Sequence, residues 1–339
     1  YALGKYIEMM GHNVTYLKRS CIGTSHDIRK TIEFSVKAIV KGRIGRVRRY
    51  IRTYRSFEKA IQNFPVREDI ESDVDYVIYG SDTIWELSDS YFYRKRNIYW
   101  GNTAPKGVKK ISYAPSIANT MENVFEEEKE FLNCLDTFSG ISVRDDYSYE
   151  TLKKYTKNEI DVVCDPTLLM DKFYENFITQ KVHQQFLLVY WFGIIPNSVM
   201  RQIQEIARSK NLKIVSFGES LRGADTKLEF DPFLFVSYYS KANYVITNTF
   251  HGTIFSVIFH KQFGTFCRSK SNTGSTNQEK LLDLLHRLQL ENQLIKDVRN
   301  LETSLTSEID YESVDLIREQ EKAKSINYLR ANISIPKER

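Results

Sequence analysis

No apolar run in the 339-residue chain approaches the ~18 residues that a membrane span requires. The two most apolar stretches, Phe186–Phe192 and Ile254–Phe259, read instead as a core strand and a core helix. Cysteine is scarce. Cys21, Cys134, Cys164 and Cys267 lie far apart and form no CxxC or Cys/His cluster, which excludes a zinc site of that kind and leaves four buried thiols suited to a reducing compartment. The expected location is therefore the cytoplasm. No internal repeat, low-complexity tract or cleavable signal is recognisable. Tyr1–Met10 reads as an amphipathic helix, stopped by Gly11 and followed by a strand at Asn13–Leu17, so the chain is expected to begin after the first strand of its fold.

What is present fits a globular chain of two core-bearing domains, since domains of ~100–200 residues are usual. Hydrophobic residues make up 42% and charged residues 27%. The 21 Tyr and 20 Phe serve mostly as core filling, although aromatic faces also stack on sugar rings. Charge is unevenly spread. Between Phe34 and Ile61 nine Lys or Arg face one Glu, a local +8 that leaves −3 for the remainder of a chain whose net charge is +5. Val40, Ile44, Val47, Ile51 and Tyr54 recur there at spacings of three and four, an apolar stripe opposite a basic face. Residues 37–59 read either as a solvated basic helix or as one docking on anionic lipid at the inner face of a membrane. Nucleic acid is not an expected partner, because no nucleic-acid module is recognisable.

Short β-rich runs alternate with helical patterns, the signature of βαβ units and a parallel sheet. Asp75–Tyr79, Lys110–Tyr113, Gly140–Val143 and Val162–Cys164 are expected strands of a first domain, and Phe186–Trp191, Lys213–Ser216 and Tyr244–Thr247 of a second. Glu122–Leu135, Ser198–Ser209, Thr253–Phe259 and Asn277–Leu288 are expected helices. The fold class is α/β, with two Rossmann-like domains at 1–171 and 184–300. A polar linker at 172–183 joins them, and a helical tail at 301–339 follows the second.

Ligands of open parallel sheets bind beyond the carboxyl ends of the strands, and each polar motif falls in such a loop. The strongest is ANYVITNTFHGTIFSVIF, residues 242–259. A hydrophobic strand feeds a Thr/Asn/Thr turn, then His251-Gly252, then an apolar helix whose first N–H groups lack intrahelical partners. That terminus is an anion site, with Gly252 allowing close approach and Thr253 adding a hydroxyl. His251 can donate to a phosphate oxygen or pass a proton, since imidazole titrates near neutrality; a helix-capping histidine is the alternative. Arg144, at a strand end, reads either as a clamp for carboxylate or phosphate or as an ion-pair partner of Asp145 or Asp146. Asp82 and Glu219 are candidate proton carriers, although Asp82 can equally cap a following helix while Trp85 packs. Asp165, before Pro166, reads as a turn residue. The scattered acids offer no metal-ligand cluster.

GSDTIW at 80–85, YAPSI at 113–117, SVRDD at 142–146, DPTLL at 165–169 and TFHGTIFSVIF at 249–259 occur in an order and at spacings that resemble the polysaccharide pyruvyl transferase family. The resemblance implies a GT-B-like pair of domains with parallel sheets facing a cleft. It also implies transfer of a ketal pyruvate from phosphoenolpyruvate to a sugar of a cell-surface polysaccharide or its lipid-linked precursor, with no metal or cofactor. In that setting Arg144, Asn248, Thr249, Gly252, Thr253, Arg268 and Lys270 become the expected donor contacts. Ser81, Trp85, Ser116 and Ser220 become the expected acceptor contacts, with His251, Asp82 and Glu219 managing protons. Some members carry an arginine two positions before the histidine, where this chain has Thr249, so the neutralising cation is expected elsewhere. A glycosyltransferase taking a nucleotide sugar and a non-catalytic carbohydrate-binding protein are the alternatives.

Overall fold

A computed structural model describes residues 2–17, 62, 64–70, 73–178, 182, 184–218, 221–228, 231–267 and 278–334. The basic segment 37–59, Cys21, Glu219, Ser220, Arg268 and Lys270 lie outside these residues.

Helix α1 (Ala2–Met9) precedes the short parallel pair β1 (Tyr16–Leu17) and β2 (Val66–Arg67). Strand β3 (Tyr76–Tyr79) pairs in parallel with β4 (Lys109–Ser112), and β5 (Ile141–Val143) with β6 (Ile160–Val162). A bridge between Ile111 and Gly140 and a bond from the Ser112 amide to the Gly140 carbonyl join the two pairs. Helix α2 (Asp146–Leu152) crosses from β5 to β6.

The second half is one five-stranded parallel sheet of order β11-β10-β7-β8-β9, built from β7 (Phe186–Trp191), β8 (Lys213–Gly218), β9 (Thr226–Leu228), β10 (Tyr244–Thr247) and β11 (Gln262–Thr265). Central β7 reads FLLVYW and is buried on both faces, as a parallel strand covered on each side must be. Helices α3 (Asn197–Ser209), α4 (Pro232–Lys241) and α5 (Phe250–Ile258) connect these strands, and α6 (Gln278–Arg287) and α7 (Tyr311–Asn332) follow. The molecule is thus an α/β fold with parallel sheets. No helix among the described residues is long and apolar enough to cross a membrane.

Two expectations need correction. The expected helix Glu122–Leu135 is broken into Glu122–Glu127, Lys129–Leu132 and a 3-10 turn at Asn133–Thr137. The break coincides with side-chain capture: Glu128 accepts from the Tyr93 hydroxyl and pairs with Arg96, while Glu126 accepts from the Tyr155 hydroxyl. The segment read as a polar linker contributes to the core as far as it is described. Tyr174 is buried against Phe255, and Phe177 packs on Phe173 and Phe233. The helical tail expected at 301–339 packs back on the body. Along α7, Ser325 bonds the amide and thiol of Cys164, and the Tyr328 hydroxyl donates to the Ser112 carbonyl, so the helix returns across β4 and the end of β6. The largest apolar cluster accordingly contains Ile111, Tyr113 and Val163 together with Phe186, Val245, Leu284 and Leu329.

Candidate active site

At the carboxyl end of β10 the chain turns into α5 within two residues. Thr249 is the N-cap: its hydroxyl accepts from the Gly252 amide at 2.9 Å, and its carbonyl accepts from the Thr253 amide at 3.1 Å. Its own amide donates to the Thr247 hydroxyl, and the two hydroxyls lie 3.0 Å apart. A side chain at Gly252 would collide with both threonine hydroxyls, so glycine is required by close approach. Thr253 is fully buried and bonded to Thr265. The Gly252 and Thr253 amides are therefore taken up, and among the first amides of α5 those of Phe250 and His251 remain for an anion. Asn248 has a bracing role: it accepts from the Phe192 amide at 2.8 Å and donates to the Phe192 carbonyl at 2.9 Å, tying β10 to the loop after β7. His251 stands beyond this scaffold with 43% of its side chain exposed.

Against it lie the strand ends of the first half. The backbone is sewn across three loops: the Tyr113 amide bonds the Tyr79 carbonyl, the Ser116 amide bonds the Asp82 carbonyl, and the Arg144 amide bonds the Pro115 carbonyl. Gly80 lies so close to the Tyr113 carbonyl that no Cβ fits, and its φ of 150° suits glycine. Asp82 follows in the left-handed region at φ 74°. It caps no helix, because the next one begins at Ser90 with Asp89 as its N-cap.

Arg144 is 1% exposed. Its Nη1 donates to Asp165 Oδ2 at 2.8 Å, its Nη2 to Asp82 Oδ1 at 3.3 Å, and its guanidinium lies 4.6 Å from the Phe250 ring centroid. Neither Asp145 nor Asp146 is its salt-bridge partner: Asp145 caps α2 through the amide and hydroxyl of Ser148. Each terminal nitrogen donates to a carboxylate and the guanidinium is buried, so an anion at this face meets Asp82 and Phe250 before Arg144. Asp165 does more than turn the chain. It accepts from the Thr167 amide, pairs with Arg144, and places Oδ2 3.8 Å from His251 Nε2. Burial would raise its pKa, but His251 and Arg144 outweigh burial and hold the carboxyl below its ordinary value. Asp82, though half exposed, is crowded by protein on one side, and Arg144, Lys280 and His251 outweigh that desolvation and keep the carboxyl ionised.

The side chains brought together are thus Asp82 after β3, Arg144 after β5, Asp165 after β6 and His251 after β10, joined by Lys280 of α6, whose Nζ is 4.0 Å from Asp82. Lys280 and the site role of Asp165 escape the sequence reading. A lysine beside an amphipathic stripe looks like any solvated one, and Asp-Pro announces only its turn. Two expected acceptor contacts are elsewhere. Trp85 is fully buried, stacked on Trp100 at 4.7 Å with its Nε1 donating to the Tyr99 carbonyl, so its ring is a core element with no face for a sugar. The Ser116 hydroxyl is buried and accepts from the Ala118 amide. Ser81 is half-buried beside Asp82.

Comparison with known proteins adds a lineage to this geometry. Residues 1–266 match the family model described as polysaccharide pyruvyl transferase. No curated protein matches the chain significantly. Solved structures similar to it include a functionally uncharacterised protein of Klebsiella pneumoniae, at 12% identity and TM-score 0.40, covering 74% of this chain and 86% of that one. A UDP-GlcNAc 2-epimerase of Neisseria meningitidis bound to UDP-GlcNAc is similar at 11% identity and TM-score 0.39, covering 78% of each chain. The wall teichoic acid polymerase TagF is similar at 12% identity and TM-score 0.35, covering 92% of this chain and 94% of that one.

Proposed function

The chain belongs to the polysaccharide pyruvyl transferase family, and from that premise we propose that it moves the pyruvyl group of phosphoenolpyruvate onto two hydroxyls of one sugar, forming a cyclic ketal. The acceptor is a saccharide of a cell-surface polysaccharide or of its lipid-linked precursor. The observation that carries this reading is the convergence of an exposed imidazole, a helix N-terminus and two carboxylates that stay ionised beside two cations.

The chemistry needs an anchor for the donor's anionic groups, a proton for its methylene carbon and charge to stabilise the centre that results. The free amides of Phe250 and His251 at the positive end of α5 serve the first need. His251 serves the second: as imidazolium it protonates the methylene carbon, which becomes the methyl group, and C2 takes on oxocarbenium character. Asp165 Oδ2 lies 3.8 Å behind the imidazole Nε2. A sugar oxygen bonds to C2, and the bond from C2 to the phosphate oxygen breaks with its electron pair going to phosphate. A second hydroxyl of the same sugar then closes the ring. Of the two hydroxyl protons released, one balances the proton placed on the methyl group and the other leaves with phosphate. Asp82 is held too acidic to be an efficient base near neutrality, so its part is electrostatic, a negative charge close to the developing oxocarbenium centre.

The test is a donor comparison. The full chain incubated with saccharide acceptors should release phosphate from phosphoenolpyruvate only when acceptor is present. Acceptor-dependent nucleotide release from nucleotide sugars, with phosphoenolpyruvate inert, would replace this reading by a glycosyltransferase.

A further inference from the structure

Arg144 and Lys280 lie against the same aromatic ring, the guanidinium 4.6 Å and the ammonium 5.5 Å from the Phe250 centroid. One oxygen, Asp82 Oδ1, serves both cations, at 3.3 Å from Arg144 Nη2 and 4.0 Å from Lys280 Nζ. Two like charges held this close repel each other unless an anion lies between them, and here that anion is Asp82. The three groups are unequally held. The Arg144 side chain is 1% exposed and that of Lys280 12%, whereas Asp82 is 56% exposed on a loop. The carboxylate is therefore the member able to yield its place.

We propose that Lys280 is a phosphate-binding residue of the donor site, drawn from α6 and shared in the resting structure with Asp82; the identity of the donor, though not the phosphate site itself, rests on the pyruvyl-transfer reading. A phosphate group carries more charge than a carboxylate and offers three oxygens where Asp82 offers the one that both cations share. An ammonium is a compact charge with three rotatable donors, suited to a group that arrives, reacts and departs. The α5 terminus supplies amides and an imidazole but no permanent cation, since its N-cap is Thr249 and its first turn is Phe250, His251 and Gly252. Arg144 is buried behind its two carboxylates. Lys280 lies on α6, beyond residues 1–266, the stretch matched to the family model.

Isothermal calorimetry of the full chain with inorganic phosphate at neutral pH tests the proposal, using wild type, Lys280→Met, Lys280→Arg and Asp82→Asn. Lys280→Met keeps the apolar stem and removes the charge, and it should weaken phosphate about 10- to 100-fold, the loss of one charge-assisted hydrogen bond. Lys280→Arg should recover most of that loss. Asp82→Asn, which removes the competing carboxylate, should bind phosphate at least as tightly as wild type. Lys280→Met within twofold of wild type, no phosphate binding by wild type, or an Asp82→Asn loss as large as that of Lys280→Met would each overturn it. Phosphate binding that depends on Lys280, in a protein that turns over no phosphoenolpyruvate with any acceptor, would support this site while rejecting the function proposed above.

Discussion

The two sides of the site are built differently. On the His251 side, the bonds that set the turn join Thr247, Thr249, Gly252 and Thr253, all within seven residues of chain. On the Arg144 side, partners lie 21 and 62 residues away, at Asp165 and Asp82. The local side leaves the His251 imidazole 43% exposed, and the long-range side buries the Arg144 guanidinium to 1%. A cap holds a short turn without enclosing it, whereas a guanidinium between two carboxylates keeps its geometry only if water is excluded around it. The exposed imidazole and the buried guanidinium are thus held by opposite kinds of construction.

Substitutions should separate the two kinds of construction. His251→Ala should lower turnover about 100- to 10,000-fold, the usual loss of a general acid, with the fold intact by circular dichroism. His251→Gln can still donate to a phosphate oxygen but delivers no proton, so a similar loss marks proton transfer and appreciable residual activity marks anchoring. On the buried side the expected damage is to stability. Asp165→Asn removes the buried partner of Arg144 and leaves it only the half-exposed Asp82, which should cost about 3–5 kcal/mol in denaturant titration. Because the folded-state pKa of Asp165 is depressed, its contribution is present above the unfolded value of ~3.9 and is lost as pH falls, so the mutant and wild-type curves should converge in acid.

A third substitution tests the frame one layer out, where Arg287 donates to the Arg144 carbonyl and pairs with Asp283. Burial, with help from Asp146 and Asp145 and against Arg287, pushes Asp283 up to about 6. A carboxyl with a raised folded-state pKa holds its proton more tightly folded than unfolded, so it costs stability as pH rises from ~4 to 6. Asp283→Asn should flatten that slope, a change of order 1–3 kcal/mol in thermal or denaturant melts between those pH values. A slope equal to that of wild type would place the titration elsewhere. The smallest effect belongs to the local side: Thr249→Ala removes one N-cap and should cost about 1 kcal/mol. A loss as large as that of Asp165→Asn would erase the distinction between the two sides.

The same contrast explains what the sequence made legible. Strands β7 and β10 and the His251 turn announce themselves in consecutive residues, an apolar run followed by cap chemistry. The edge strands β9 and β11 escape because TKL and QFGT are short and lack an apolar run. Arg144 was visible as a strand-end cation, but which of four aspartates it meets depends on how β3, β5 and β6 align. Lys280 depends on where α6 lies. Trp85 stays ambiguous in the sequence, because a tryptophan in a polar loop motif looks the same whether it faces a ligand or fills a core beside Trp100.

The most direct measurement runs the reaction in D₂O with phosphoenolpyruvate and a saccharide acceptor and follows the product by NMR. If His251 protonates the methylene carbon before the sugar attacks, wild type should give a pyruvate ketal whose methyl group carries one deuterium, together with one phosphate per ketal, and His251→Ala should give almost none. Phosphate appearing without ketal, or ketal formed equally well by His251→Ala, would contradict the account.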